Sequence, residues 1–215
     1  NEFNEKRKIG ENDSHICNLI RNDSIEDFIS LVNRSNISIS STLKSSIFET
    51  NPFLLNGVQT LIGYTIFFGS IQIFNYLRMN DVQLNTYLWL HLIHSQNPEI
   101  IHFFEENKIE PRKNYYIKCY KEAIKCHHLD IMNYIKENYY EKDETSDFSL
   151  FLISIKNYNF VDYLNNNYKT DLLGKTDLLY EFCKYDYSYI VSSLLKDNDF
   201  DINYRKVFLL LFDFI

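Results

Sequence analysis

The chain has 215 residues, 45% of them hydrophobic and 24% charged, with a formal net charge of -7. This composition is typical of a folded soluble domain and excludes a largely disordered chain. The acidic balance argues against DNA or RNA as a partner, because the one basic cluster, residues 6–8, is shorter than a nucleic-acid patch. No apolar stretch reaches the ~20 residues of a membrane span, so we also expect no membrane partner.

The four cysteines, Cys17, Cys119, Cys126 and Cys183, lie far apart in the sequence. Their spacing is too sparse for the disulfide framework of a small secreted domain. We therefore expect a reducing compartment and a cytoplasmic location. Glycine is scarce, with five in the whole chain, which disfavours glycine-built phosphate loops and favours helices joined by short turns.

Residues 1–59 predict an N-terminal helical segment with one divergent hairpin and an irregular insertion. Apolar residues cluster at 17–20 and again at 28–32, on either side of a polar turn at 21–24. The insertion, residues 36–59, is rich in serine and breaks the pattern that follows it. We place one short helix inside it, at residues 42–49.

Residues 60–203 predict five repeats, each a pair of helices. The second helix carries apolar residues at i, i+1, i+3 and i+4 in the first four pairs and at i, i+1, i+4 and i+5 in the fifth. Both spacings gather them on one helix face. The apolar sets begin at Ile73, Ile100, Ile131, Phe160 and Ile190. Asn97-Pro98-Glu99 adds a cap, an N1 proline and a first-turn acid. Residues 204–215 predict the first helix of a truncated further repeat, and the whole chain is expected to be all-α.

Residues 60–77 resemble the ankyrin signature, T-P-L-H-x-A-A-x-x-G-x-x-x-I-V-x-x-L, without a gap. Residues 80–85 and 196–203 resemble its N-G-A-D-V-N tail, although Leu61 and Gly63 replace the signature proline and histidine. The composition resembles that of the expanded, degenerate ankyrin-like proteins of single-celled parasites. The resemblance implies an ankyrin-like solenoid of stacked hairpins with shortened fingers, since the repeats are shorter than the ~33 residues of an ankyrin repeat.

The same resemblance implies a protein-protein interaction scaffold with no catalytic activity, no cofactor and no small-molecule substrate. In ankyrin proteins the binding groove follows the first helices, at the two residues after the signature alanine pair. The partner-binding residues carried over to this sequence are Phe67, Phe68, His94, Ser95, Lys125, Cys126, Ser154, Ile155, Lys184 and Tyr185. The identity of the protein partner does not follow from the sequence.

Two alternatives compete with the scaffold. The chain as a structural spacer or regulatory segment of a larger protein would bind nothing at this groove. A metal-dependent enzyme is the more distant alternative. Its site would lie either in the insertion, residues 36–59, or in the region where Cys119, Cys126, His127 and His128 fall within ten residues. The spacing of these residues matches no recognised zinc motif, so we predict no metal site.

Overall fold

The computed structural model describes residues 2–111, 113–139, 150, 152–159 and 175–194. The described residues form helices and no strand, apart from one isolated antiparallel bridge between Thr42 and Thr60. The all-α prediction is therefore confirmed for this part of the chain. The predicted apolar set at 160–164, the tail at 196–203 and the helix at 204–215 lie outside it. None of the described helices is long and apolar enough to span a membrane.

The chain divides into two compact units, Asn1–Glu122 and Ala123–Ile215. We number the described helices in chain order. They are α1 Glu2–Ile9, α2 His15–Arg21, α3 Ile25–Ser35, α4 Pro52–Leu55, α5 Leu61–Phe68, α6 Ile71–Met79, α7 Trp89–Ser95, α8 Pro98–Glu106, α9 Lys113–Lys125, α10 Leu129–Tyr139, α11 Lys175–Lys184 and α12 Ser188–Leu194, with a 3-10 helix at Thr86–Leu88 before α7.

One recurring turn, at which a single residue has a left-handed φ, joins five pairs of the described helices and also follows the helical residues 152–156. These turn residues are Asp23, Gly69, Gln96, His127, Tyr158 and Asp186, with φ between 48 and 69°. In five of the described turns the next N–H donates to the carbonyl five residues earlier, as Ser70 N does to Thr65 O at 3.1 Å. In the same turns the N–H of the turn residue donates to the carbonyl three residues earlier, as Gly69 N does to Ile66 O at 3.0 Å. The two bonds together form a Schellman motif. Only one turn uses glycine, so the others bear a left-handed cost of roughly 1–2 kcal/mol.

Burial follows the same register in every described hairpin. The residue three before the turn residue is a core residue that is at most 3% exposed: Ile20, Ile66, Ile93, Ile124, Ile155 and Cys183. In the second helices the predicted apolar faces are also buried, at Ile73, Phe74, Leu77, Ile100, Phe104, Ile131, Met132 and Ile135. The i, i+1, i+3, i+4 spacing therefore predicted the core faces of α6, α8 and α10.

In the first unit, consecutive hairpins pack against one another. Helix α2 contacts α3 and α5, α3 contacts α6, and α5 contacts both α6 and α7. The Phe28 ring lies 6.1 Å from that of Tyr76, and the Phe74 ring lies 5.5 Å from that of Phe103. A single hairpin could not bury these rings alone, so the packing of neighbours supplies the core.

A hydrogen bond links each of four hairpins to the one before it. The donor is the side chain of the residue directly after the turn residue, and the acceptor is a carbonyl at the end of the preceding first helix. The pairs are Ser70 to Ile20 at 2.5 Å, Asn97 to Gly69 at 3.0 Å, Asn159 to Ile124 at 2.9 Å, and Tyr187 to Ile155. We call these donors the clamp residues. The carbonyls of Ile20, Ile124 and Ile155 also accept a backbone N–H of their own turn, so the clamp residues supply a second donor to them.

Asn97 allows the clamp to be measured separately from helix capping. Its Oδ1 accepts from Glu99 N at 3.0 Å and its Nδ2 donates to Gly69 O. Asn97→Asp keeps the acceptor and removes the donor, so unfolding in urea should show a loss of about 1 kcal/mol, whereas Asn97→Ala should lose about 2. Asn107→Asp is the control, because Asn107 donates only within its own helix. An Asn97→Asp chain as stable as its parent would contradict the clamp.

The insertion differs from its prediction. Residues 42–49 form no helix; the short helix is α4, where Asn51 Oδ1 accepts from Phe53 N at 2.9 Å and Pro52 occupies the first turn. Residues 44–50 instead pair with the N-terminal segment. The Asn12 side chain donates to Lys44 O at 2.9 Å, and Thr50 Oγ1 donates to Gly10 O at 2.8 Å. Tertiary pairing has therefore replaced local helix formation there.

Candidate interaction surface

The predicted partner-binding residues share one place in the hairpin. Eight of the ten are the last two residues before a left-handed turn residue, a set that we call the turn row. They are Phe67 and Phe68 before Gly69, His94 and Ser95 before Gln96, Lys125 and Cys126 before His127, and Lys184 and Tyr185 before Asp186. Lys125 and Lys184 are exposed and the other six are half-buried. The turn row therefore begins one residue after the buried core position.

Ser154 and Ile155 do not belong to the turn row. They are 2% and 1% exposed, and Ser154 Oγ donates to the carbonyl oxygen of Leu150, four residues earlier, at 3.0 Å. Because Tyr158 is the turn residue of this hairpin, the equivalent positions are Lys156 and Asn157, two residues later. Assigning the groove to Ser154 and Ile155 was wrong in register, and their burial leaves them no surface to offer a partner.

The α2–α3 hairpin contributes Arg21, which the sequence analysis did not select. Its side chain contacts Glu11 at 2.8 Å, donates to Tyr64 Oη at 2.7 Å, and lies 5.9 Å above the Phe68 ring. Arg21 occupies the same turn-row position as Phe67, since Asp23 is the turn residue. Applying the turn register to this divergent hairpin would have found it.

The structure brings Phe67, Phe68 and His94 together in the first unit. The Phe67 ring lies 5.0 Å from that of Phe68 and 4.7 Å from that of His94, the latter stacked. His94 Nε2 also lies 3.3 Å from a carboxylate oxygen of Glu122, and both side chains are largely buried. The turn row of these two hairpins therefore forms one aromatic and imidazole cluster.

The insertion adds a fourth ring to this cluster. The Phe53 ring in α4 stacks on Phe67 at 5.7 Å and lies 4.3 Å from the His94 ring. No feature of the sequence predicted this contact, because the loop that carries Phe53 follows no repeat. Part of the predicted groove is consequently occupied by the chain itself.

His91 lies at the edge of the cluster and is neutral. Gln59 Oε1 lies 3.2 Å from its Nε2, and a Cβ on Gly63 would approach that nitrogen to 2.9 Å. Gly63, which replaces the signature histidine, therefore leaves room for His91 of the next hairpin. Burial, with a smaller contribution from His94, lowers the pKa of His91 to about 4.

In the second unit the turn row includes Lys184 and Tyr185. The Lys184 ammonium lies 5.2 Å above the Tyr185 ring and 3.8 Å from the carboxylate of Glu181. Behind them, Tyr158 Oη donates to Tyr185 O at 3.1 Å. That bond uses only the Tyr185 main chain, and the half-buried ring has Lys184 against one face.

No known family model, curated protein or solved structure matches this chain. The ankyrin resemblance therefore stays a prediction, and the site is argued from its own geometry. Three of the cysteines, Cys17, Cys119 and Cys183, are buried. Burial raises the pKa of Cys119 to about 12, so its thiol is protonated at neutral pH and a poor nucleophile.

Proposed function

We propose that this chain is a protein-interaction scaffold of ankyrin-like helical hairpins, and that the turn row is its binding surface. One observation carries the proposal: a nearly constant buried position lies directly before positions whose side chains vary. The buried position is isoleucine in five of the six described hairpins, and cysteine in the sixth. The next position is arginine, phenylalanine, histidine or lysine. A fixed framework that carries variable surface residues is how repeat proteins present binding sites.

The lysines of the turn row have a simpler explanation. A cation at the C-terminal end of a helix is stabilised by the helix dipole, whether or not it binds anything. The half-buried rings of Phe68 and Tyr185 have no such explanation. Aromatic side chains dominate many protein interfaces, because they offer a large contact area at a small entropic cost. We therefore assign them the larger share of the binding energy.

The test compares two tyrosines in the second unit. Proximity labelling of the chain in its native cell would identify a partner, and purified partner would then be titrated against variants. Tyr185→Ala should weaken binding by about tenfold or more, as expected for an interface anchor. Tyr189→Ala is the matched control, since Tyr189 is 87% exposed on α12 and lies outside the turn row.

Thermal melts of both variants should stay within a few degrees of the parent, because neither ring belongs to the core. Equal binding by the parent and the Tyr185→Ala chain would remove Tyr185 from the binding surface. Equal weakening by the two variants would show that the turn row has no special role.

A further inference from the structure

The cluster around Phe67 already holds a ligand-like segment. The Phe53 ring contacts three rings of the first unit, those of Phe67, His91 and His94, at centroid distances of 5.7, 5.0 and 4.3 Å. The helix that presents it, α4, has four residues. So short a helix has no stability of its own in water, and it depends on this contact.

Two further contacts hold α4 in place. Gln59 Nε2 donates to Leu54 O at 3.1 Å, while Gln59 Oε1 faces His91 Nε2. The Gln59 amide thus joins the carboxyl end of α4 to the imidazole. On the other side of the helix, Leu55 is 56% exposed and Val58 is 75% exposed. One aromatic ring, one amide and the buried side chain of Leu54, which is 5% exposed, therefore attach α4.

A pocket of about 180 Å³ lies next to α4. Apolar side chains such as Leu54 and Tyr64 line it together with polar ones such as Asn12 and Glu49. The preceding residues are held separately, by the bonds from Asn12 and Thr50 to the opposite segments. Residues 51–56 can therefore lift while residues 44–50 stay paired and Leu43 N still donates to Gln59 O at 2.7 Å. Besides the Phe53 ring and the Gln59 amide, the main buried contact that opposes this local opening is that of Leu54.

We propose that Phe67, His91 and His94 form a receptor site for an aromatic side chain on a short helical turn, and that residues 51–56 are its resident, exchangeable ligand. The proposal rests on the proposed function, since Phe67 and His94 belong to the turn row. It names the partner chemistry: an aromatic residue that follows a helix N-cap and precedes aliphatic residues, as in Asn51-Pro52-Phe53-Leu54-Leu55. Such a partner segment would replace α4.

The first measurement is hydrogen exchange of the full chain. In Phe53→Ala the amides of residues 53–56 should exchange at least tenfold faster than in the parent, while those of α5 and α7 stay unchanged. Leu55→Ala is the control, because this exposed residue of the same helix makes none of the ring contacts described above. Unchanged exchange in Phe53→Ala would overturn the proposal, since the ring would then not hold the helix.

The second measurement supplies the segment in trans, as a labelled peptide of residues 50–59. It should bind the Phe53→Ala chain at least tenfold tighter than the parent, whose tethered α4 competes at high effective concentration. A peptide with alanine in place of its phenylalanine should not bind, nor should the labelled peptide bind the Phe53→Ala/Phe67→Ala chain. Equal binding to parent and Phe53→Ala chains, or none to either, would make α4 a fixed structural part and overturn the proposal.

These outcomes are separate from those of the partner titration. The peptide experiment needs no cellular partner, so it can fail while Tyr185→Ala still weakens binding of the partner. Conversely, binding of the peptide that depends on Phe67 would establish the receptor site even if Tyr185→Ala left the affinity for the partner unchanged.

Discussion

Ile100→Asp is expected to unfold the first compact unit. Ile100 is fully buried in α8, at 0% exposure. A carboxylate placed there without a partner costs several kcal/mol, which is comparable with the ~5–15 kcal/mol that stabilises a typical folded domain. Circular dichroism at neutral pH should show loss of helix at room temperature, or a melting temperature lowered by tens of degrees.

The control introduces the same side chain on the same helix. His102 has a side chain that is 68% exposed, so His102→Asp should cost well under 1 kcal/mol, chiefly through repulsion from Glu105 and Glu106. If the Ile100→Asp and His102→Asp chains had the same melting temperature, α8 would not belong to a packed core. The repeated apolar sets would then not mark buried faces.

The second helices were predictable because their signal is local. Apolar residues at i, i+1, i+3 and i+4 define one helix face whatever lies beside it, and a hairpin that must bury this face packs against its neighbours. The clamp residues gave no such signal. Ser70, Asn97, Asn159 and Tyr187 share a position and a role as donors, but they are three different residue types.

The groove was predicted less accurately because its register depends on the turn. Counting from the ankyrin signature placed the fourth pair at Ser154 and Ile155, whereas the left-handed residue of that hairpin is Tyr158. A tyrosine in a sequence does not predict a left-handed turn residue, whereas a glycine often does. The Phe53 contact was beyond sequence reasoning altogether, because it joins a non-repeating loop to the cluster through tertiary packing.

His91 should make the first unit less stable in acid. Gln59 Oε1 accepts from Nε2, which leaves Nδ1 as the site for a second proton, and this nitrogen is buried with no hydrogen-bond partner in the described part of the chain. A proton on Nδ1 would therefore be a buried charge without an acceptor. This geometry agrees with burial as the main cause of the pKa of about 4.

The sign of the effect follows from proton binding. The unfolded chain protonates this histidine near its ordinary pKa of about 6.5, whereas the folded chain resists protonation until pH 4 or so. The contribution of His91 to the free energy of unfolding is therefore constant above about pH 6.5. It falls as the pH drops from about 6.5 to about 4. The total loss attributable to His91 is about 3 kcal/mol, and it is complete below pH 4.

His91→Gln should remove this part of the pH dependence. Urea unfolding of the parent and the variant would be measured at steps between pH 7 and pH 4, and the variant's free energy subtracted from the parent's at each pH. The subtraction cancels the pH dependence that the two chains share, to the extent that the substitution leaves the neighbouring groups unchanged. This difference, the parent's free energy of unfolding minus the variant's, should decrease by about 3 kcal/mol as the pH falls from 7 to 4.

His102→Gln is the matched control, because it makes the same substitution at a side chain that is 68% exposed and so removes no buried imidazole. Its difference curve should lack the shift expected of His91→Gln over the same interval. A flat curve for His91→Gln as well would mean that His91 accepts its proton in the folded state without cost. In that event the imidazole would have to reach water, and α4 would have to open at acid pH to allow it.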